Sequence, residues 1–542
     1  MTGPTRRTLL VCILVLGSGC LLGGLLGGRV RAEADNADLR LRDFGRILAL
    51  VQDNYVGKVE SEELVEDAIQ GMLRTLDPHS NFLDKDTYAE MKDEQRGRFY
   101  GLGIQITKRG PDRPLTIIAP IDGTPASRAG LHAGDIIYKI EGEETTDLTV
   151  QQAVRRLKGE KGTKVTITIQ RPGEDRPFDV TLIRDEIPTK SIPVAFMIQP
   201  RVGFIRISNF TSTTAKELDV ALGHLHEEGM TRLLLDLRGN PGGLLEQAVQ
   251  VSERFLPAGK LVVYTRGRIA GSDQDYVAQK GVDRVDLPLI VLVDHSSASA
   301  SEIVSGAIQD HDRGLVVGES TFGKGLVQRV IPLTDGTTAV AVTTAKYYTP
   351  SGRLIQRDYS DLDDYFIDTE DEEPGPEEKP SKPREVRHTD SGRVVLGGGG
   401  ITPDYVVHAD RASSFLSRLI RENAIFDFVV RYLAAHPNLE GDFVVEDTVQ
   451  SEFRKFLDSR KVSFTEDEIQ SDRKALSLRL RAQVARVRQG AEAESRVLAE
   501  GDPQVQKALM LFDEAAQLQR EGELGRRQRE EAGLNAVGRG PV

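Results

Sequence analysis

A serine-rich run and a lysine between two glycines are the residues of this chain whose types and spacing could do chemistry. The run H-S-S-A-S-A-S-E-I contains Ser299, follows an apolar strand predicted over residues 287–293, and opens a helix predicted over residues 302–309. Such a junction offers free N–H groups and the positive end of a helix dipole. Lys324 lies in S-T-F-G-K-G-L-V-Q, where partial burial would lower its pKa. The pair predicts nucleophilic catalysis with an amine as the base.

The lysine segment also has to be compared with a phosphate-binding loop. Residues 318–324 read G-E-S-T-F-G-K, which fits the P-loop motif up to its last position, where Ser or Thr must hold magnesium. This chain has Gly325 there. A P-loop opens a helix, whereas residues 326–333 alternate in polarity and are rich in Val and Ile, which predicts a strand. Nucleotide binding is therefore disfavoured.

Two histidine–aspartate pairs near the serines offer a histidine triad as an alternative. Asp294 and His295 precede the serines, and His311 and Asp312 follow them. No G-x-S-x-G elbow surrounds these serines, and His295 is too near Ser299 along the chain to reach it easily from the same junction. The nine histidines show no metal spacing such as H-E-x-x-H. The sequence thus disfavours both a histidine triad and a zinc protease.

A glycine-rich turn upstream could supply hydrogen-bond donors to a negatively charged intermediate. Residues 232–238 read R-L-L-L-D-L-R, a buried strand, and run into G-N-P-G-G before a helix predicted over residues 244–255. Glycines allow close approach of the backbone, and the helix start supplies N–H groups. Each donor of an oxyanion hole contributes roughly 3–4 kcal/mol to lowering the barrier. A plain strand-to-helix turn would have the same composition, so the serine run decides the interpretation.

The strings S-A-S-A-S-E-I, A-I-Q-D and G-E-S-T-F-G-K-G-L-V-Q together resemble the carboxyl-terminal processing (tail-specific) serine proteases. The resemblance implies Ser299 as the nucleophile, Lys324 as the general base and Gln328 as the residue that holds the lysine. Asp310 in the A-I-Q-D string would have a supporting role. Ser297 and Ser301 are the nearest competitors of Ser299, and only the motif separates the three serines.

The resemblance also implies an oxyanion hole and a fold. Gly242 or Gly243 would give one donor and Ala300 the other, and the site would need no cofactor, metal or nucleotide. The implied fold is multidomain α/β, with a crotonase/ClpP-like α/β protease core, an inserted PDZ β-domain, a helical N-terminal region and a helical C-terminal tail. Alternating strands and helices after residue 202 agree with an α/β core.

A second unit lies upstream of the core. Residues 125–140 read P-A-S-R-A-G-L-H-A-G-D-I-I-Y-K-I and, with the preceding Y-G-L-G loop, resemble a PDZ domain. Such a loop presents backbone N–H groups to the carboxylate of a peptide that adds as a strand to the sheet edge. Substrate tails would accordingly be bound by Tyr100, Gly101, Leu102, Gly103 and Ile104.

Changes in composition divide the chain into seven predicted segments. They are a signal peptide or membrane anchor (1–32), a helical N-terminal region (36–95), the PDZ domain (96–185), the protease core (186–357), an acidic Pro-rich linker or insert (358–396), the end of the core (397–411) and a helical C-terminal region (412–542). The last segment is rich in Arg, Glu, Gln and Ala with amphipathic spacing. It could pack on the core, form a homo-oligomer or receive an adaptor.

Charge and cysteine content restrict the partners and the compartment. The net charge of −13 disfavours binding to nucleic acid. Arg6 and Arg7 precede about twenty apolar or small residues, a pattern of export signals that is also just long enough to anchor in a bilayer. Cys12 and Cys20 both lie in that segment, so a cysteine protease and a disulfide framework are excluded. A bacterial envelope protein, periplasmic and either free or anchored to the inner membrane, fits these features.

These features predict an exported serine endopeptidase that cuts proteins near their C-termini. Its PDZ domain would bind free C-terminal tails, and Ser299 and Lys324 would cleave them. The alternative is a catalytically silent PDZ scaffold that gathers envelope proteins. Retention of the serine, the lysine and Gln328 together favours the enzyme.

Overall fold

The computed structural model describes residues 38–531 except 109–112, 281–284, 362–364, 366–383, 438, 440 and 442. The predicted signal peptide or anchor at 1–32 lies outside these residues. No helix in the described part of the chain combines the length and the apolar character needed to cross a bilayer.

Three helices and a short strand precede the PDZ module. They are α1 (38–54), α2 (Ser61–Arg74), β1 (Asn81–Leu83) and α3 (Lys85–Arg96). Asp84 caps α3 by accepting the N–H of Thr87, and Gly97 ends it in the left-handed conformation that glycine adopts most easily. The predicted helical region is therefore helical except for β1, whose partner is a strand of the protease core.

The PDZ module is a six-stranded antiparallel sheet flanked by two helices. Its elements are β3 (Ile104–Thr107), β4 (Thr116–Pro120), α4 (Pro125–Arg128), β5 (Ile136–Ile140), β6 (Glu143–Glu144), α5 (Val150–Leu157), β7 (Lys164–Gln170) and β8 (Phe178–Ile183). The order β3-β4-β5-β7-β8, with β6 beside β5, leaves β3 at an edge. The connections to the rest of the chain, β2 (Arg98–Gly101) and β9 (Asp185–Pro188), pair with each other.

The core contains two sheets and a separate two-stranded hairpin, with three helices between the strands in sequence. The strands are β10 (Val194–Gln199), β11 (Val202–Arg206), β12 (Arg232–Asp236), β13 (Leu261–Arg266), β14 (Gln274–Val277), β15 (Leu289–Val293), β16 (Leu315–Gly318), β17 (Leu326–Pro332), β18 (Ala339–Tyr348), β19 (Val386–His388), β20 (Val394–Leu396) and β21 (Tyr405–Val406). The helices are α6 (Thr214–Glu227), α7 (Leu245–Glu253) and α8 (Ala300–Asp310).

The larger sheet has the order β10-β11-β12-β15-β16-β21 and is parallel except for β10. Successive residues of its central strands pack into different apolar clusters: Leu233 and Val291 pack on the side of α6–α8, and Leu234 and Ile290 pack on the other side. All five residues of β15 are buried. A strand covered on both faces is expected to be continuously apolar, which explains its sequence L-I-V-L-V.

The smaller sheet brings the N-terminal region to the core. Its order is β1-β18-β13-β14, with β17 also paired to β18. Asn81 of β1 lies opposite Ala341 of β18 in antiparallel register. The segment before the PDZ domain therefore adds a strand to the sheet that also contains β17, the strand that follows Lys324 in the chain.

Part of the predicted linker at 358–396 is structured. Strands β19 and β20 form a hairpin that ion pairs fasten to the core: Asp390 contacts Lys260 at 2.7 Å and Arg393 contacts Asp312 at 2.7 Å. The acidic composition predicted a solvated linker. The sequence does not show that Asp390 and Arg393 pair with residues far away in the chain. Residues 366–383, which carry most of the acidic run, lie outside the described part.

The C-terminal region is helical, as predicted. Its helices are α9 (Ser414–Arg421), α10 (Ala424–Ala435), α11 (Asp447–Ser459), α12 (Glu466–Ser471), α13 (Arg473–Gln489), α14 (Ala491–Ala499), α15 (Pro503–Met510) and α16 (Phe512–Glu531). Helices α9–α13 share their own apolar cluster. Helices α15 and α16 instead cover the second face of the larger core sheet, where Val505 and Phe512 are buried. Of the three predicted roles for this region, packing on the core is therefore observed.

Candidate active site

Ser299 begins helix α8 in a backbone conformation that few residues adopt. Its φ is 55° and its ψ is −111°, a region that costs a non-glycine residue of order 1–3 kcal/mol and is concentrated at functional sites. Strand β15 ends six residues before it, at Val293. The serine therefore lies where a parallel strand turns sharply into a helix, beside the positive end of the helix dipole.

Exposure separates Ser299 from the two neighbouring serines. Ser297 and Ser301 are fully buried, and their hydroxyls donate to the carbonyls of Leu237 and Asn240, each at 2.9 Å. Ser299 is partly exposed. Burial and bonding assign Ser297 and Ser301 to the structure of the loop, so Ser299 is the only one of these three serines that is exposed to solvent.

Two polar residues join the glycine-rich turn after β12 to the serine loop after β15. The Asp294 carboxylate, at the start of the serine loop, accepts the Gly239 N–H at 2.9 Å. The Asn240 carbonyl accepts the Ala298 N–H at 3.0 Å. Because β12 and β15 are parallel neighbours, both loops leave the same edge of the sheet, and these bonds make them one unit.

The glycine-rich turn touches the serine directly at Gly242. A Cβ at this position would lie 2.8 Å from the Cβ of Ser299 and 3.0 Å from the nitrogen of Ala300. The φ of Gly242 is 106°, so both space and backbone conformation require glycine here. The turn therefore forms a wall of the site at the start of α8.

The backbone donors predicted for an oxyanion differ in their availability. The Gly242 N–H already donates to the Asn240 side-chain oxygen at 2.9 Å. Within the described residues, the N–H groups of Gly243 and Ala300 have no acceptor. Gly242 therefore shapes the turn, and Gly243 and Ala300 are the two donors left open beside the serine.

A buried carboxylate holds the lysine segment against the serine. Glu302, in the first turn of α8, accepts the Ser299 N–H at 2.8 Å and the Lys324 N–H at 2.9 Å on the same oxygen, Oε2. Its other oxygen accepts the Gly323 N–H at 2.7 Å and the Thr321 hydroxyl at 2.5 Å. Sequence reasoning did not identify Glu302, although the spacing S-x-x-E is a known signal of a helix start.

The surroundings of Lys324 favour the neutral amine. Burial lowers the pKa of Lys324, and the negative charges of Glu302 and Asp77 oppose this effect without cancelling it. Burial also raises the pKa of Glu302, against four hydrogen bonds that favour its ionised form. A lysine whose pKa is below its usual value is more often the neutral amine, which is the form that accepts a proton.

Gln328 and Asp310, the two other residues predicted to assist the dyad, both form hydrogen bonds. The Gln328 amide on β17 donates to the Thr343 hydroxyl on β18 at 3.1 Å, and the described residues show no hydrogen bond between Gln328 and Lys324. Asp310, at the far end of α8, accepts from buried Arg353 at 2.7 Å and from the Ser351 N–H at 3.0 Å. Asp310 thus fastens the turn after β18, and its supporting role stays a prediction.

A turn from the N-terminal region borders the lysine. The Asp77 carboxylate accepts the His79 N–H at 2.9 Å, and the His79 ring contacts the Tyr365 hydroxyl at 2.6 Å. The Tyr365 ring packs edge-on against Phe322, with centroids 5.3 Å apart. Burial, and then the cation of Lys324, lower the pKa of His79 to about 4, so its imidazole is neutral at pH 7. The sequence gave no sign that this turn reaches the site.

The histidines of the alternative triad have other partners. His295 lies 3.6 Å from Glu319. The His311 ring bridges Asp390 at 2.9 Å and the Leu261 carbonyl at 2.7 Å. Across the described residues no group of three or more His, Cys, Asp or Glu side chains is arranged to hold a metal ion.

The loop predicted to bind a peptide carboxylate lies between β2 and β3. Leu102 is buried, Gly103 has a φ of 75°, and their N–H groups have no acceptor in the described part of the chain. Tyr100 is 39% exposed. Gly101 ends β2 and Ile104 begins β3, so the open N–H groups stand at the start of an edge strand, as a peptide-binding loop requires.

Comparison with known protein families agrees with these modules. Residues 201–363 match peptidase family S41, residues 90–170 match the PDZ domain, residues 29–87 match the activating protease CtpB N-terminal domain, and residues 415–479 match the C-terminal helical domain of a probable PDZ-protease. The fold and these matches define a serine-type peptidase with a PDZ domain.

Similar proteins extend the match across the modules. A carboxy-terminal-processing protease of Bartonella bacilliformis is 42% identical over 325 residues, which cover 59% of this chain and 74% of the relative. A carboxyl-terminal-processing protease of Synechocystis is 40% identical over 57% of this chain and 72% of its own. The carboxy-terminal processing protease CtpA of Bacillus subtilis is 34% identical over 64% of this chain and 71% of the length of the relative. The chain belongs to the family of carboxy-terminal processing proteases.

Proposed function

We propose that this protein is a serine endopeptidase that cleaves exported proteins near their C-termini with a Ser299–Lys324 dyad. The observation that carries the proposal is the shared carboxylate of Glu302, which places the backbones of Ser299 and Lys324 side by side. The lowered pKa of the lysine supplies the second requirement, an amine that is able to accept a proton.

The reaction follows from these positions. Lys324 Nζ takes the proton of the Ser299 hydroxyl while Oγ attacks the scissile carbonyl carbon, and the N–H groups of Gly243 and Ala300 receive the oxyanion. When the C–N bond breaks, Lys324 returns the proton to the leaving amine. Water then attacks the acyl ester with Lys324 again as base, which releases the new carboxylic acid and restores the serine.

The remaining predicted residues have auxiliary roles in this scheme. Gln328 is proposed to orient Lys324 when substrate is bound, since β17 carries both the segment after the lysine and the glutamine. The open N–H groups of Leu102 and Gly103 are proposed to bind the carboxylate of a substrate tail that adds to β3. Export to the bacterial envelope, either free or anchored, and assembly through the C-terminal helices stay predictions from the sequence.

The decisive test is turnover of an unstructured peptide by the purified protein and single variants. We expect Ser299→Ala and Lys324→Ala each to lose at least about a thousandfold in kcat/KM, with unchanged circular dichroism. Ser296→Ala, an exposed serine three residues away, is the matched control and should keep wild-type activity. Chelators and ATP depletion should have no effect.

Each proposed feature has an outcome that would contradict it. Full activity of Lys324→Ala would reject the dyad and return attention to a histidine base. Tail binding by a wild-type protein that turns over no peptide would favour the silent scaffold. Cleavage that is indifferent to amidation of the substrate's C-terminus would reject carboxylate recognition by the PDZ loop. An N-terminal sequence of the mature protein that includes residues 1–32 would reject a cleaved signal.

A further inference from the structure

Glu302 is the most completely enclosed acidic side chain beside the proposed nucleophile and base. It is 0% exposed, and every residue of helix α8 around it is buried as well. Burying an ionised carboxylate costs several kcal/mol unless hydrogen bonds or an opposite charge compensate. Among the described residues no cationic side chain lies within ion-pairing distance of it. Such a group must have a role that offsets its cost.

The compensation comes from four donors that belong to two separate chain segments. One donor is the N–H of Ser299 at the start of α8. The others are the N–H groups of Gly323 and Lys324 and the Thr321 hydroxyl, all in the segment between β16 and β17. Each carboxylate oxygen accepts two of the four, so the acceptor capacity of the group is occupied by hydrogen donors alone.

This geometry has two consequences for the reacting atoms. The bonds on Oε2 fix the separation of the Ser299 and Lys324 backbones, because both N–H groups share one oxygen. The carboxylate also interacts electrostatically with the lysine amine, which becomes an ammonium when it accepts the serine proton. In a site shielded from water, a preorganised charge of this kind is worth more than in solvent.

We propose that Glu302 is a positioning residue of the hydrolytic reaction, which holds Ser299 and Lys324 in register through their backbones and stabilises the protonated lysine. The inference rests on the proposed dyad and deepens it. Helix α8 would then have two functions. It presents Ser299, and it carries Glu302, which fixes the position of Lys324 and influences the pKa of its amine.

Two variants of Glu302 separate the loss of the charge from the loss of the geometry. Glu302→Gln keeps the size but replaces one oxygen by an NH₂ group that faces two donors. Glu302→Asp keeps the charge but shortens the side chain. We expect both variants to lower kcat roughly a hundredfold, the order of effect that a misplacement of about 1 Å produces.

Only the glutamine variant should also move the pH profile. The charged or titratable groups that interact with Lys324 are Glu302, Asp77 and His79. Tyr347 and Tyr365 face Glu302, and Arg357 faces Tyr365. The Glu302 charge raises the pKa of Lys324, so its removal lowers that pKa further and increases the neutral fraction at a given pH. The acid limb of the kcat/KM profile should therefore shift to lower pH in Glu302→Gln and stay in place in Glu302→Asp.

A readout without turnover makes the test independent of activity. In a Ser299→Ala background, the pH dependence of Lys324 carbamylation by cyanate, followed by peptide mass spectrometry, reports the fraction of neutral amine. The midpoint should fall when Glu302→Gln is added. Glu253→Gln is the matched control: it removes another buried glutamate, on the adjacent helix α7, and should leave the midpoint and the acid limb unchanged.

The outcomes separate this inference from the dyad itself. Activity that survives Ser299→Ala or Lys324→Ala rejects the dyad. If these variants are inactive but Glu302→Gln keeps wild-type kcat and an unmoved carbamylation midpoint, the dyad stands and the role of Glu302 is rejected. Failure of both Glu302→Gln and Glu302→Asp to fold also rejects it, because Glu302 would then serve the fold and not the site.

Discussion

At the scale of single residues, the burial of Lys324 should oppose folding while it serves the proposed catalysis. Burial places the pKa of this amine below that of the unfolded chain, so the unfolded state binds more protons between the two values and stability rises with pH in that window. Replacing the amine by an apolar side chain removes this penalty. Functional sites commonly carry such a cost in stability.

We therefore expect Lys324→Met to abolish peptide turnover and to raise the melting temperature at pH 7. A gain of about 2–4 °C would correspond to 1 kcal/mol in a domain of 150–250 residues. The gain should shrink as the pH approaches the ordinary lysine value of 10.5, because the unfolded amine is then neutral as well. Lys346→Met, at an exposed position of β18, should show no such pH-dependent gain. A lower melting temperature for Lys324→Met at pH 7 would contradict the argument.

Gly243 gives a second prediction at this scale. A Cβ there would lie 2.2 Å from the carbonyl oxygen of Phe210, and its φ is 140°, so the turn must move if a side chain is added. We expect Gly243→Ala to reduce kcat by about a hundredfold or more, since one oxyanion donor is displaced. Gly223→Ala, in helix α6 with open space around it, should keep activity. Equal activity of the two variants would show that the turn supplies no donor.

The sequence predicted the residues of the proposed dyad but not the groups that hold them. Ser299 and Lys324 could be named because their motif is specific, and Ser297 and Ser301 were set aside by the motif alone. Glu302 and His79 were missed because their roles depend on contacts across 22 residues in one case and 286 in the other. Local spacing signals a helix start or a turn, and it does not show which distant segment that element will meet.

At the scale of elements, the left-handed turn of the PDZ loop can be tested at Gly103. A Cβ at this position would lie 2.4 Å from the Thr124 side chain, at a φ of 75°. We expect Gly103→Ala to weaken the binding of a peptide with a free C-terminus at least tenfold, measured by fluorescence anisotropy, because the Leu102 and Gly103 N–H groups would be displaced.

A matched glycine separates backbone strain from the shape of that loop. Gly123 has a similar φ of 73° but open space around it. Gly123→Ala should carry the same conformational cost and retain peptide binding. If both variants bind equally well, the Y-G-L-G loop is not the carboxylate site. A peptide with an amidated C-terminus should bind weakly to every variant.

Long elements with a clear period were predicted well, and short ones were not. Strands β12 and β15 and helix α7 agree with the sequence prediction because their apolar runs are continuous or strictly periodic. Strand β1 has three residues and becomes a strand only through its pairing with β18. The hairpin β19–β20 depends likewise on ion pairs to residues far away in the chain, which no local pattern encodes.

At the scale of the whole molecule, the C-terminal helices belong to the stability of the catalytic core. Phe512 of α16 is 1% exposed and packs with residues of β12, β15 and β16. We expect Phe512→Ala to cost about 3–5 kcal/mol of unfolding free energy and to shift the loss of peptidase activity in urea to lower concentration together with the loss of helix signal.

The neighbouring residue provides the control for this prediction. Asp513 is 92% exposed and pairs with Arg232 at 3.0 Å, and such surface pairs contribute about 1 kcal/mol or less. Asp513→Ala should therefore unfold close to the wild-type urea midpoint. Activity in Phe512→Ala that persists after the C-terminal helices have melted would show that these helices form a separate unit.

The order of the layers could not be read from composition. Amphipathic spacing predicted helices after residue 412, but an apolar stripe does not specify whether it meets another copy, an adaptor or a sheet in the same chain. The alternation of Leu233 and Leu234 between two apolar clusters shows that the central sheet needs a cover on both faces. The second cover comes from a stretch more than 200 residues away along the chain.

This arrangement has a consequence for biosynthesis. Translation delivers β12 and β15 long before α15 and α16, so one apolar side of the nascent sheet remains uncovered until residues 503–518 have left the ribosome. A peptidase whose scaffold closes this late would be unable to digest its own emerging polypeptide, and the delay itself would act as a safeguard. Ribosome-stalled chains released at residue 500 should accordingly be inactive and bind chaperones, whereas chains extended through α16 should acquire activity.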